Sequence, residues 1–332
     1  QTNVFMVVAV DAAGGDFFPK NPIEGALLAL DEDSSLNIIL VGPETLINEE
    51  LQNHNYDKDR IEVVDAPEII GMKDSPSAAV KTKRNSSITV GIGLHKAGKC
   101  QAFVSAGNTG ALLAASTFIL GKLEGVSRPT IATYFPTLKG FRLLVDAGAN
   151  LEVKPEMAVQ FAKMGQVFAA HEMGINDPKV ALLNVGEEEK KGTENVRAIH
   201  EALMSVDGFV GNAEGRDIFP AKADVFVTDG MVGNILLKFG ESIPSALKHM
   251  VKAQAKKGIL AKLELYFAQK VLRESLSPFN YENVGGIPFL GVNGVSVVGH
   301  GGSSPLAIKN MIKGAISCVH SDINGKIVSS LN

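Results

Sequence analysis

Short apolar, β-branched runs alternate with helical stretches along almost the whole chain, and that alternation restricts the fold more than any other feature. Strands are expected near Met6–Val10, Ile38–Val41, Ile61–Val64, Ala102–Ser105, Leu143–Asp146, Val180–Val185, Val225–Thr228 and Val295–Val298. Helices are expected over Pro22–Leu30, Ala78–Ala97, Ala111–Leu120, Pro155–Glu172, Glu194–Met204, Ile235–Lys257 and Pro305–His320. Strands that are apolar throughout are buried on both faces, so the pattern predicts an α/β fold: a mostly parallel central sheet with helices on both faces. No internal repeat or low-complexity linker interrupts it. The 332 residues are therefore expected to form one large α/β unit, 1–332, with any second lobe an insertion rather than a tethered module.

The segments that follow the strands say more than the strands do. Val10 runs into Asp11-Ala12-Ala13-Gly14-Gly15-Asp16, Val104 into Ser105-Ala106-Gly107-Asn108-Thr109-Gly110, and Val145 into Asp146-Ala147-Gly148-Ala149-Asn150. Val185 runs into Gly186-Glu187, Val227 into Thr228-Asp229-Gly230-Met231-Val232-Gly233-Asn234, and Val298 into Gly299-His300-Gly301-Gly302. In a parallel sheet all of these emerge at one edge, where open α/β sheets bind their ligands. Glycine lets backbone approach a ligand, and helix N-termini present N–H groups to anions. A shared anion-binding cleft is therefore expected, although each turn taken singly reads as nothing more than a turn. None matches G-x-G-x-x-G or the P-loop, so dinucleotide and P-loop binding are not expected.

Composition removes other classes. A formal net charge of -4 gives no global basic field, so no nucleic-acid partner is expected. Cys100 and Cys318 are far apart and lack metal-ligand spacing, which fits a reducing cytoplasm. The opening Gln1–Met6 lacks the signature of a signal peptide. No apolar run approaches the roughly 20 residues that span a bilayer. A cytoplasmic protein is the expectation.

Taken in order, Val10–Asp16, Lys83–Ser87, Ser105–Ala111, Asp146–Asn150, Lys154–Glu156, Leu183–Gly186, Lys190–Gly192 and Thr228–Gly230 with Gly233-Asn234 resemble the motifs of the bacterial acyl-carrier-protein:phosphate acyltransferase (PlsX) family. The likeness covers nearly the whole chain. It departs from the family at Ala13, where the motif has methionine, and around Leu138-Lys139-Gly140, which is shorter than the family's glycine-rich turn. The resemblance implies a fold similar to the phosphate acetyltransferases and isocitrate dehydrogenase-like enzymes, with a protruding helical hairpin. It also implies transfer of a long-chain fatty acyl group from acyl carrier protein to inorganic phosphate. The acyl phosphate would be used by a downstream glycerol-3-phosphate acyltransferase. A homodimer is implied as well.

Such a reaction needs a positioned phosphate, a stabilised oxyanion and a thiolate exit. The expected phosphate cradle is Ser105, Gly107, Asn108, Thr109 and Gly110, completed by Gly14, Gly15, Gly230, Gly233 and Asn234, with Asn108 and Thr109 donating from their side chains and Gly107 as close-approach backbone. Lys191, with Lys190 beside it, is the expected cation on phosphate or oxyanion; following Glu187–Glu189, the pair also reads as a solvated charged loop. His300 is a candidate general acid, an optional role because a thiolate leaves unprotonated. Asp11, Asp16, Asp146 and Asp229, with Asn150 and Asn184, are expected to orient or contact substrate. No His joins those carboxylates at ligand spacing, so orientation is preferred to a metal site, with a divalent cation on the Asp-rich edge left open; no cofactor is expected. Cys100 sits in Lys99-Cys100-Gln101 and Cys318 on the last helix; neither has a basic partner in sequence that suggests an acyl-cysteine, so direct transfer to phosphate is preferred.

Residues 252–276 read as a helical hairpin with a basic, apolar tip: Ile259, Leu260, Leu263, Phe267 and Val271 against Lys252, Lys256 and Lys257. It fits peripheral contact with the inner face of the cell membrane or a carrier-protein dock, and equally an ordinary amphipathic helix. Carrier protein is acidic, and both Lys81-Lys83-Arg84 and Lys252-Lys256-Lys257 could receive it. Two other readings remain: a phosphate acetyl- or butyryltransferase using acyl-coenzyme A, and a non-enzymatic membrane-associated scaffold.

Overall fold

The structure is a computed structural model that describes residues 6–255, 258, 265, 267–271, 274–275 and 284–332. Among the described residues eleven strands form one sheet. In chain order they are β1 (Met6–Asp11), β2 (Leu36–Gly42), β3 (Ile61–Asp65), β4 (Ala102–Ser105), β5 (Thr130–Thr137), β6 (Gly140–Val145), β7 (Val180–Leu183), β8 (Phe209–Ala213), β9 (Val225–Val227), β10 (Ile287–Leu290) and β11 (Val295–Val298). Their spatial order is β3-β2-β1-β4-β11-β10-β5-β6-β9-β7-β8. The eight strands expected from sequence are all present; β5, β8 and β10 are additional.

Those additions change the geometry. β3, β2, β1, β4 and β11 are mutually parallel, as are β6, β9, β7 and β8. Between the two blocks, β11–β10, β10–β5 and β5–β6 are all antiparallel. Three reversals in a row leave the blocks pointing in opposite directions. The single carboxyl edge expected from sequence is therefore two edges, one per half-sheet.

Register brings the two edges back together. Val298 pairs with Ile287 and Ile131 with Phe289, so by continuation Thr133 stands level with Val298; Thr133 itself pairs with Leu144. β6 ends one residue later, at Val145. The ends of β11 and β6 thus lie within about 3.3 Å of each other along the strands and about 14 Å apart across three strand spacings. Turns from both half-sheets meet over the antiparallel strands.

Alternate residues of each strand feed separate cores. Val8, Val10, Ile38 and Leu40 pack under α1 (Lys20–Glu32) and α9 (Pro305–His320), while Leu143, Val145, Val225 and Val227 pack under α6 (Pro155–Glu172) and α7 (Glu194–Leu203). On the opposite face Ala9, Ile39, Val41 and Phe103 meet α3 (Pro76–Thr82), α4 (Ser87–Lys96) and α5 (Thr109–Ala115). There Leu144 and Phe226 meet α8 (Gly230–Ala255). α2 (Glu44–Leu51) and α10 (Ile323–Leu331) lie towards the two ends of the chain.

The single helix expected over Ala78–Ala97 is two. Lys83 leaves helical geometry, its ammonium donates to Asp74 Oδ2 at 2.6 Å, and the Ser86 hydroxyl accepts from Thr89 N–H to start α4 afresh. Of the expected hairpin, Ile259, Leu260 and Leu263 lie outside the described residues; Phe267 and Val271 are helical and 72% and 64% exposed. Among the described residues no helix is long and apolar enough to cross a membrane.

The α1–α9 contact carries a pH prediction. Lys309 and Lys313 donate to the two oxygens of Glu32 at 2.6 and 2.8 Å. Those hydrogen bonds, Lys309 first, lower the Glu32 carboxyl from 4.5 to about 2. The unfolded chain takes up this proton at higher pH than the folded one, so the stabilisation is complete above the unfolded value and lost as pH falls towards about 2. The stability difference between wild type and Glu32→Gln should therefore shrink steadily through that acid window. It should also shrink in molar salt, because the pair is exposed. A difference that stays constant with pH would show that Glu32 titrates normally.

Candidate active site

A cavity of about 790 Å³ lies on the α5/α8 face of the sheet, over β5. That volume is within the range of small-molecule sites. Ile131, Thr133 and Phe135 form its floor; α5 with Thr109, Gly110, Leu113 and Phe118 forms one wall, and α8 with Asn234, Leu237 and Lys238 the other. Gly299, His300, Gly301 and Asp16 enter from one half-sheet; Ala147, Gly148 and Ala149 enter from the other. The helix carrying Phe118 relaxes into a π-turn over Ser116–Leu120, turning that ring outward with 63% exposure.

On the first half-sheet, Asp11 ties the turns together. It is buried, and burial pushes its carboxyl above the usual range, opposed by hydrogen bonds from the Ser105 and Ser87 hydroxyls and from the Ala13 and Gly14 N–H groups. Ser105 Oγ donates to Asp11 Oδ2 at 2.6 Å and accepts from Gly107 N–H at 3.0 Å. Gly15 takes a positive φ of 91°, and a Cβ there would sit 2.9 Å from Gly301 O. The neighbouring Asp16 N–H donates to that same oxygen at 2.8 Å. The Asp16 side chain is exposed at the cavity.

Asn108 is not a spare donor. Its Oδ1 accepts from Ala111 N–H and caps α5, while Nδ2 donates to Gly71 O at 3.1 Å and Asp74 O at 3.3 Å. What faces the cavity from this turn is Thr109 and Gly110, at the helix N-terminus the cap creates. His300 Nδ1 accepts from Gly302 N–H at 3.1 Å, which puts the proton of the neutral ring on Nε2.

On the second half-sheet Asp146 is fully buried and accepts five hydrogen bonds. Ile131, Gly148 and Ala149 N–H reach Oδ1; Asn150 N–H and Nδ2 reach Oδ2. Asn150 also bonds Pro129 O, and its own carbonyl accepts from Gly230 N–H. Asp229 Oδ1 accepts from Val232 N–H in the first turn of α8. Gly230 and Gly233 are close-approach positions, since Cβ atoms there would meet Asn150 O at 2.7 Å and Asp146 O at 1.8 Å. They pack α8 onto the β6 turn and contribute no surface to this cavity. Asn234 does face it, and is exposed.

Lys190 and Lys191 stand apart from this assembly. Both are exposed on the loop after β7, Lys191 Nζ lies 3.8 Å from Glu188 Oε1, and neither lines the cavity. Asn184 holds that loop, donating to Lys191 O and accepting from Val185 N–H. Two cations line the cavity among the described residues: Lys238, which is paired with Glu241 at 2.9 Å, and Arg128, which sequence reasoning missed. It also borders a second cavity of about 760 Å³ that contains Asn150, Lys154, Asn195 and Asp229. Its backbone is fixed on both sides: Ser127 by Gln160 and Lys122, and Pro129 by Asn150. Its guanidinium has no hydrogen bond or ion pair among the described residues.

Asp11, Asp146 and Asp229 each accept backbone N–H groups within their own turns, and among the described residues they do not gather into a group of three ligand-type side chains. Glu24, Glu50 and His54 bring ligand-type atoms within 4.8 Å of one another, but they line neither cavity. Cys100 and Cys318 are buried; burial pushes the Cys100 thiol up to about 11 and the Cys318 thiol higher still.

Comparison with known proteins follows the same lines. Among solved structures, a phosphotransacetylase from Streptococcus pyogenes superposes with a TM-score of 0.61 at 16% identity, covering 94% of each chain. The EutD phosphotransacetylase from Staphylococcus aureus gives 0.56 at 17%, covering 96% of this chain and 94% of its own. At such identities the likeness speaks for the fold. In sequence, a phosphate acyltransferase from Halothermothrix orenii is 43% identical over 98% of this chain and 99% of its own. One from Heliobacterium modesticaldum is 45% identical over 97% and 99%, and one from Salinibacter ruber 47% over 93% and 92%. The family described as fatty acid synthesis protein matches residues 6–326, and the chain belongs to that family, alongside these phosphate acyltransferases.

Proposed function

We propose that this protein transfers a long-chain fatty acyl group from the thioester of acyl carrier protein to inorganic phosphate, releasing acyl phosphate for phospholipid synthesis. The observation that carries the reading is the cavity itself. Its floor and walls are largely apolar, as an acyl chain requires, while Thr109, Gly110, Asn234 and Arg128 supply anion-favouring groups along the same space. A phosphate oxygen attacks the thioester carbonyl carbon, the carbon–sulfur bond breaks, and its electron pair leaves on sulfur as the carrier thiolate. Arg128 and the α5 N-terminus hold the phosphate, and backbone N–H groups and Arg128 oppose the oxyanion charge. The buried, poorly acidic Cys100 and Cys318 support direct transfer without an acyl-cysteine. Lys190 and Lys191 enter this reading as cations on a neighbouring loop, secondary to Arg128.

Purified protein incubated with palmitoyl carrier protein and phosphate should release free carrier thiol and hydroxylamine-trappable acyl in equal amounts. Thiol release without trappable acyl would mean hydrolysis and sink the proposal. A preference for acyl-coenzyme A as donor would favour the acetyl- or butyryltransferase reading.

Use of the product by a membrane glycerol-3-phosphate acyltransferase and assembly as a homodimer belong to the same proposal. So does peripheral attachment to the membrane's inner face, supported by Phe267 and Val271, four residues apart and both exposed. Phe267→Glu with Val271→Glu should at least halve co-sedimentation with anionic vesicles while leaving the melting temperature unchanged; undiminished sedimentation would reject that contact.

A further inference from the structure

We propose that the carrier protein docks on the α3 side of the cavity mouth, against the cations Lys73, Lys81 and Arg84. The proposal rests on the carrier-protein donor inferred above and names where that donor binds. Met72 and Phe118 border the cavity on this side and are 56% and 63% exposed. Lys73 adjoins Met72. Ser77, another cavity residue, stands one turn before Lys81 on α3, so the two share a face. Arg84 follows, its Nε donating to Lys81 O at 3.4 Å. Neither Lys73, Lys81 nor Arg84 has an ion-pair partner among the described residues.

The remaining charges offset this field only in part, Asp16 and Glu68 being two carboxylates against the three cations. Lys83 reaches Asp74 at 2.6 Å and Ile69 O at 2.8 Å, neutralising the acid closest to Lys73 in the loop. Glu68 accepts from Asn85 N–H. Across the mouth, Lys238 is paired with Glu241 at 2.9 Å. The platform is also preformed, because Asn108 anchors the loop through Gly71 O and Asp74 O. An acidic protein that delivers a thioester on an extended arm needs this combination: unpaired cations to steer it, and apolar contacts beside the opening the arm enters.

The rival cluster is too distant. Lys252 lies 18 residues beyond Asn234 on α8, about 27 Å along the helix at about 1.5 Å per residue. Its companions Lys256 and Lys257 lie outside the described residues.

The test is the triple variant K73E/K81E/R84E, assayed with palmitoyl carrier protein and, separately, with palmitoyl pantetheine, which carries the thioester without the protein. At sub-saturating donor the rate with carrier protein should fall about tenfold, through KM, and the wild-type rate should itself fall with added salt. The palmitoyl pantetheine rate and the melting temperature should be unchanged. An unchanged carrier-protein rate, or an equal fall with both donors, would overturn the docking site. If wild type transfers from palmitoyl pantetheine but never from carrier protein, the donor assignment itself fails; that outcome is visible before any variant is made.

Discussion

Gly233→Ala should destabilise the protein by about 3 kcal/mol, the upper part of the range for forcing atoms into a filled space. A Cβ at this position falls 1.8 Å from Asp146 O and 2.9 Å from the Asp146 carbonyl carbon. Both obstacles are backbone. That backbone cannot retreat cheaply, because the Asp146 carboxylate is gripped by four N–H groups and the Asn150 amide, and its own N–H donates to Thr228 O. α8 must therefore lift, which opens the wall of the cavity that carries Asn234 and Leu237. Urea unfolding should show the loss, and acyl-phosphate formation should fall with it. Gly93→Ala is the control: nothing lies within 4 Å of a Cβ there. In the helix α4 it should be neutral or stabilising by up to about 1 kcal/mol. Equal stability of Gly233→Ala and wild type would mean that α8 does not sit on the β6 turn as described.

The same contact shows what a sequence can and cannot reveal about such a site. Glycine, Asn and Asp at strand ends mark turns through local chemistry, so the positions of Asp11–Asp16, Ser105–Gly110, Asp146–Asn150 and Thr228–Asn234 were readable. Their roles were not. Gly233 reads like a ligand-approach glycine but is required by packing, and Asn108 reads like a donor but caps its own helix and ties a loop. β10 carries Pro288 and β8 carries Gly211 at a positive φ, which break their runs, while β5 holds Thr130–Phe135 ahead of Pro136 with Ala132 dividing its β-branched residues. Missing β5 and β10 hid the direction reversal, because strand pairing is a non-local property that no local period encodes. The expectation of convergence outlived its own premise: the turns meet through register between opposed half-sheets instead of sharing one edge. Arg128 carried no signal at all, being a lone arginine in a loop.

Arg128→Ala should lower kcat/KM for phosphate by tenfold to a hundredfold, the loss that follows from about 1.5–3 kcal/mol for hydrogen bonds to a charged partner. The guanidinium borders both cavities, has no partner among the described residues, and projects from backbone fixed by Gln160, Lys122 and Asn150. Removing it takes away charge without removing packing, so the melting temperature should hold. Arg128→Lys should recover only part of the rate, because an ammonium keeps the charge but loses the two-pronged donor geometry that matches phosphate. The effect should appear in KM for phosphate more than in KM for the acyl donor, whose chain is proposed to lie on the apolar walls. Lys191→Ala makes the comparison sharp: its ammonium faces Glu188 outside both cavities, so it should lose less than Arg128→Ala does. If the order is reversed, the phosphate's cation comes from the loop after β7, and the reaction is centred at the far end of the second half-sheet instead of over β5.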